Sequence, residues 1–498
     1  MRNVKNPIVR GFNPDPSVCK VGEDYYLVTS TFEFFPGVPI YHSRDLANWK
    51  LIGHCLTRKS QLLLDGCQVS GGIYAPTLRY HDGMFYMSTT NCSHGGNFIV
   101  HAKDIQGPWS EPSWVEQGGI DPSLTFDEGR CYLQSAHQWE GRQCILQCEV
   151  NPLTGEMLTP SKPISYGTGG KYPEAPHLYK INGQYYLVLA EGGTEYGHMV
   201  TIFRSDSPWG PFEPCPRNPI LSHRGADAVH SQIQCVGHAE LFEWNDGRWW
   251  LAALGIRKLP YNLLHNLGRE SFLAQVTWDE DGWPVVNGNG LLNEQILLDT
   301  DEDAESDDFF DDFSESTLKL DYCHVRNPYM ENYHLGDGML TLYGGEPLST
   351  MKSSPTFLGV RQKEFNVVAE VCVQPEEGAL AGMCAYYSGE HYYALSLSTK
   401  NGRMRVSLRK RMYDFEAETA SVEVDAQKLY LQITADVDKY AFACRTSQGE
   451  WIPLGEGAVA ALCTEVTRTM TFTGTFIGLF CEQCSSVFSS FSVKYPKN

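Results

Sequence analysis

Three acids recur at similar places in a repeated pattern. Asp15 opens "DPSVCKVGEDYYLV", Asp121 opens "DPSLTFDEGRCYLQ", and Glu174 stands just before "APHLYKINGQYYLV". Two related segments, "APTLRYHDGMFYM" and "HAELFEWNDGRWWLA", carry Ala75 preceded by Tyr74, and His238. Registered on their turns, the residues six to nine positions upstream are Asp15, the Tyr74/Ala75 pair, Asp121, Glu174 and His238. Taken singly, each has an ordinary reading. Asp before Pro forms turns, Glu174 in "YPEAPH" reads as solvated, and His238 reads as a core histidine. Acids at one repeat position are harder to dismiss, because solvated carboxylates scatter and buried ones need partners.

Carboxyl groups gathered at one rim repel, so one stays protonated near neutral pH while another stays charged. Cleavage of a glycosidic bond needs that division: a protonated acid releases the leaving oxygen, and an ionised one activates water or attacks the sugar. Acids on separate elements also sit far enough apart, about 6.5–9.5 Å, to admit the water of an inverting reaction. A third acid tunes and orients the proton donor. Metal coordination by the three acids is the competing use. Nearby, "TSTFEFFPGVPIYHSRDLANWK" supplies Phe32, Phe34 and Phe35, and "GGIYAP" supplies Tyr74. Aromatic faces suit the apolar face of a sugar ring; core packing is an equal reading for Phe34 and Phe35. Arg269 in "LGRESF" brings a fork for hydroxyls or a carboxylate, with a surface salt bridge as its plain alternative.

These residues need a scaffold that makes separate segments converge. Each of the five segments reads as a strand, a turn with Gly beside Asp, Asn or Glu, and a strand with paired aromatics, which is a hairpin signature. The hairpins recur about every 45 to 65 residues, helical periodicity is nearly absent, and such spacing fits propeller blades. Blades face one channel, so matched positions meet at its rim. The expectation is a five-bladed β-propeller over residues 1–298. "DTDEDAESDDFFDDFSES" reads as an acidic linker, placed at 299–312. Alternating runs such as "GMLTLYG", "HYYALSLS" and "RMRVSLRK" then predict a β-sandwich over 313–498, making the chain all-β.

Composition narrows the partners. At 498 residues the chain exceeds one ordinary core. A net charge of −21 argues against nucleic acid, whose phosphates require Lys and Arg. No apolar run approaches a membrane span. The first residues lack a secretory signal, so the 16 cysteines read as reduced thiols and the expected location is cytoplasmic. Cys481 with Cys484, and Cys144 with Cys148, lack a second pair at zinc spacing.

At these residues the sequence resembles glycoside hydrolase family 43, within it the bacterial β-xylosidases that carry a C-terminal sandwich. "NPIVRGFNPDPSV", "STFEFFPGVPIYHSRDLANW", "GGIYAPTLRYHDGMFYM", "DPSLTF", "EAPHLYKINGQYYLVLAEGGTEYGH", "GHAELF", "LGRESF" and "FTGTFIGLF" carry the likeness along the whole chain. The resemblance implies a five-bladed propeller followed by a jelly-roll, concanavalin-like sandwich, and hydrolysis with inversion. It implies that Asp15 is the general base, Glu174 the general acid, and Asp121 the residue that tunes and orients the acid. Arg269, Phe32 and Tyr74 would line the pocket for a non-reducing-end xylose, with Tyr74 standing where many relatives have Trp. Phe472, on a sandwich loop, would close one side and make the action exo. His238 matches a channel histidine that in some members helps hold calcium, so a structural Ca2+ is allowed and no cofactor is required. The expected activity is a xylan 1,4-β-xylosidase acting on small xylo-oligosaccharides, with homo-oligomerisation left open. Alternatives are an α-L-arabinofuranosidase or a bifunctional enzyme, a non-catalytic carbohydrate-binding propeller, and a configuration-retaining transfructosylase or invertase.

Overall fold

Five antiparallel sheets, each built from one stretch of chain, occupy residues 17–56, 77–114, 120–165, 174–222 and 233–286 of the computed structural model, which describes residues 2–300 and 306–496. Four have four strands; the fourth carries an extra two-residue strand, Leu221–Ser222. Their leading hairpins turn where the sequence placed them. Asp82-Gly83, Glu128-Gly129 and Asn182-Gly183 each hold both central residues at positive φ, the turn whose twist matches that of the flanking strands. The ring closes without exchanging a strand between blades. Arg2–Lys5 pairs with Gln295–Leu298, Val9 bridges Ser271, and Asn13 N–H donates to the Arg269 carbonyl. The N-terminal segment therefore runs beside the last blade and carries Asp15 to Arg269.

The second unit packs an eight-stranded sheet on a six-stranded one around a core that includes Leu342, Val371, Leu395, Leu431 and Phe488. Helical structure among the described residues is limited to short 3-10 turns. The all-β propeller-and-sandwich reading holds, with one shifted boundary. Phe309–Asp311, expected within the linker, pairs with Phe491–Val493 as a sandwich strand. Its alternation explains the shift, since Phe309 and Asp311 point inward while Phe310 is exposed. Residues 301–305 of the expected linker lie outside the described residues.

The two units share a core. Phe34 stacks on Phe476 at 4.3 Å, Phe12 packs against both, and His324–Val325 of the sandwich pairs with Phe34–Phe35. Phe34 is thus packing between domains and not a sugar platform. All 16 cysteines are free thiols, and among the described residues neither the Cys481/Cys484 nor the Cys144/Cys148 pair gathers other ligands.

Candidate active site

The blade hairpins end at the rim in an unusual backbone shape. Asp15, Asp121, Ala175 and His238 all have left-handed φ, between 45° and 56°, and the first three precede proline. Non-glycine residues rarely adopt this conformation, and it concentrates at functional sites. In the third blade Asp121 and Pro122 form a bulge between the pairs Ile120↔Ala136 and Ser123↔Gln134. In the fourth, Ala175 and Pro176 do the same between Glu174↔Ala190 and His177↔Val188. The structural equivalent of Asp121 is therefore Ala175. Glu174 stands one residue earlier, as Tyr74 stands before Ala75. This corrects the expectation that Asp15, Asp121 and Glu174 share one repeat position. The bulge bends the chain at the rim, so both positions still face the pocket.

Asp15 is buried and fully engaged. Ser30 Oγ donates to its Oδ2 at 2.5 Å, and Arg269 Nη1 lies 3.3 Å from Oδ1. His238 Nδ1 is 3.4 Å from the same oxygen. Burial alone pushes this carboxyl up, but Arg269, then His238, Ser30 and His198, outweigh it and hold it below the usual range. Burial pushes both histidines down, His198 to about 3, so Arg269 is the lasting cation. Asp15 is the ionised acid of the group.

Asp121 and Glu174 are driven the other way. Burial raises Asp121 well above its ordinary value, and the charges of Glu174 and Asp15 add to it. Its Oδ2 accepts the Ala175 N–H at 3.1 Å, which ties it to the backbone beside Glu174. Burial and the Asp15 charge push Glu174 up to about 7, with Arg269 opposing. Among the described residues no cation forms an ion pair with Glu174.

Asp15, Asp121, Glu174, Arg269, Phe32, Tyr74, Phe472 and His238 all line one cavity of about 270 Å³, so every expected site residue converges there. Phe32, Tyr74 and Phe472 touch pairwise, with ring centroids 5.3 to 6.0 Å apart. Arg269 lies between the Phe32 and Phe472 rings, at 5.5 and 5.2 Å, and donates to Thr194 Oγ1 at 2.9 Å. Its Nε is buried and has no hydrogen-bond partner among the described residues. Gly72 lets the chain pass Phe32 closely, since a Cβ there would meet the Phe32 carbonyl at 2.2 Å.

Sequence reasoning missed Ser30, Thr194, His198, Tyr172 and Met470. Thr194 and His198 both lie in "EGGTEYGH", the loop after the fourth blade's second strand. Gly237 leaves room for His198, whose ring a Cβ would strike at 2.3 Å. Tyr172, two residues before Glu174, and Met470, two before Phe472, are half-exposed at the mouth.

The channel below suits calcium poorly. Calcium prefers several oxygen ligands, whereas His238 here faces the His177 ring. Glu240, the neighbouring carboxylate, is committed to Arg79 and to the Val18 N–H. Arg79 also lies 3.3 Å from His177 Nδ1, a positive charge where a dication would come. Among the described residues no group of three or more His, Cys, Asp or Glu is arranged to hold a metal, and Asp15 already has its cation.

With this geometry established, similarity to known proteins is informative. The family described as Glycosyl hydrolases family 43 matches residues 4–284, and the Beta xylosidase C-terminal Concanavalin A-like domain matches 310–492. The chain is 42% identical over 491 residues to a non-reducing end alpha-L-arabinofuranosidase of Bacteroides ovatus, covering 96% of this chain and 91% of that one. It is 32% identical over 525 residues to a beta-xylosidase of Bacillus subtilis, covering 97% of each. The crystal structure of a xylan beta-1,4-xylosidase from Bacillus halodurans superposes with a TM-score of 0.92 at 33% identity, over 99% of this chain and 100% of that one.

Proposed function

Because the chain belongs to glycosyl hydrolase family 43, we propose that it is an exo-acting β-1,4-xylosidase that releases xylose from the non-reducing end of short xylo-oligosaccharides with inversion. Asp15, ionised beside Arg269, takes a proton from a water as that water bonds to the anomeric carbon. Glu174, protonated, gives its proton to the glycosidic oxygen as the old bond breaks. The base ends protonated and the acid ionised, and exchange with solvent resets both. Asp121 holds the Ala175 N–H and so fixes where the neighbouring Glu174 side chain starts.

One observation carries this reading: a single pocket holds one carboxylate paired with Arg269 and a second carboxyl group that forms no ion pair among the described residues. The wall that Phe472 adds from the second domain supports exo action. The name of the Bacteroides ovatus relative favours a second reading, an α-L-arabinofuranosidase, in which the same acids act on a different terminal pentose. Rates on aryl β-xyloside, aryl α-arabinofuranoside and xylobiose decide between them, with proton NMR of the first-formed sugar. Release of α-xylose from xylobiose is expected. A much faster arabinofuranoside rate overturns the first choice, and β-xylose as first product overturns inversion.

A further inference from the structure

Phe472 reaches the pocket from the far end of the chain, and its peptide is held by the propeller at both ends. Its N–H donates to Ser70 Oγ at 2.8 Å, and its carbonyl lies 3.5 Å from Arg269 Nη2. Ser70 is buried and has a φ of 59°, a conformation that a serine does not take without constraint. That constraint comes from Glu33. The Ser70 N–H donates to Glu33 Oε2 at 2.9 Å.

Glu33 is itself an unusual residue. It is buried between Phe32, which touches Phe472, and Phe34, which stacks in the interdomain core. Burial pushes its carboxyl up to about 7, only partly opposed by the Arg326 charge, and among the described residues it forms no ion pair. The nearest cation, Arg326, spends its fork on the carbonyls of Cys67, Ser353 and Met351. The other titratable groups facing Glu33 are Cys67 and Tyr386, neither of which supplies positive charge. Holding a carboxyl group here is costly unless it fixes something.

We propose that Glu33 and Ser70 form a latch that positions Phe472, so that substrate affinity depends on two propeller residues that never touch the sugar. The chain of contacts is continuous: Glu33 accepts from the Ser70 N–H, Ser70 Oγ accepts from the Phe472 N–H, and the Phe472 ring covers Arg269 and Phe32. The latch fixes a pocket wall and leaves the acids alone. It therefore acts on binding that is equal in ground and transition states, which moves KM and spares kcat. Glu33 and Ser70 are positioning residues. The proposal rests on the glycosidase reading of the pocket.

Ser70→Ala and Ser70→Gly both delete the hydroxyl, and glycine takes the left-handed φ without strain, which protects against a folding failure. Either is expected to raise KM for an aryl β-xyloside about threefold to tenfold, the worth of one hydrogen bond, with kcat within about twofold. Glu33→Gln keeps an acceptor oxygen and is expected to hold KM near wild type, while Glu33→Ala raises it like Ser70→Gly. A wild-type KM in Ser70→Gly overturns the latch. So does an equal KM rise in Glu33→Gln and Glu33→Ala, which would make Glu33 mere packing. Asp15→Asn, assayed alongside, separates the two levels. If it keeps a near-normal kcat, the assignment of Asp15 as base fails; if its kcat collapses while Ser70→Gly keeps a wild-type KM, only the latch fails.

Discussion

Arg269 Nη1 lies 3.3 Å from Asp15 Oδ1 and 2.9 Å from Thr194 Oγ1, so one guanidinium joins the start of the first blade to a loop of the fourth. It is also the strongest of the influences that keep Asp15 ionised against its burial. Arg269→Met removes that charge, and the Asp15 carboxyl then rises. If Asp15 is the base and works only when ionised, the acid limb of kcat/KM should move to higher pH, and KM should rise as a cation lining the pocket is lost. A pH profile with an unmoved acid limb would contradict the assignment of Asp15 as base.

Asp15→Asn keeps the shape of the side chain, and asparagine tolerates the left-handed φ of 56°. Loss of a general base costs about 10²–10⁴-fold in rate. We expect kcat to fall by that amount on every substrate, whatever its leaving group. The melting temperature should drop modestly, because the buried Arg269 loses its carboxylate. A variant with near-normal kcat removes Asp15 from the chemistry.

Glu174→Gln is expected to behave selectively. The proton donor matters most for a poor leaving group, so xylobiose hydrolysis should fall about 10²–10⁴-fold. An aryl glycoside with an acidic phenol should lose far less. In the unmodified protein, kcat/KM should decline above about pH 7, where Glu174 ionises, and this basic limb should vanish in the variant. Equal losses on both substrates would point to a different role.

Asp121 should trade stability for function. Burial and the Glu174 charge raise its carboxyl, so the folded chain retains a proton that the unfolded chain gives up near its ordinary value of 3.8. Its contribution to stability therefore falls as pH rises above that value and keeps falling until the raised folded value is passed. Asp121→Asn should lower kcat while raising the melting temperature by a few degrees at pH 8, and by less at pH 5. Scanning calorimetry at the two values tests the sign.

The sequence carried more of this site than of its mechanics. The Asp-Pro and Ala-Pro steps at Asp15, Ala75, Asp121 and Ala175 were visible, and each stands seven residues before its hairpin turn. Following the prolines would have put Glu174 one place early. Following the acids concealed that offset, and only the strand pairing exposes the bulge. Thr194 and His198 were hidden because a loop's reach depends on what it folds against. Phe34 and Phe35 were ambiguous because an aromatic covers a sugar and a neighbouring domain equally well. The strand at Phe309–Asp311 was masked by the acids around it, since composition averages over an alternation three residues long.

The seam that closes the propeller also sets when the protein can first work. Asp15 and its cation are 254 residues apart in sequence. At ribosomal speeds of about 5–20 residues per second, Asp15 waits on the order of ten to fifty seconds for Arg269 to be made. Phe472, 203 residues beyond Arg269, comes later still. A chain ended before Arg269 lacks the cation beside Asp15, and one ended before Phe472 lacks the closing wall. The complete pocket therefore exists only once both halves of the chain have been made and have met.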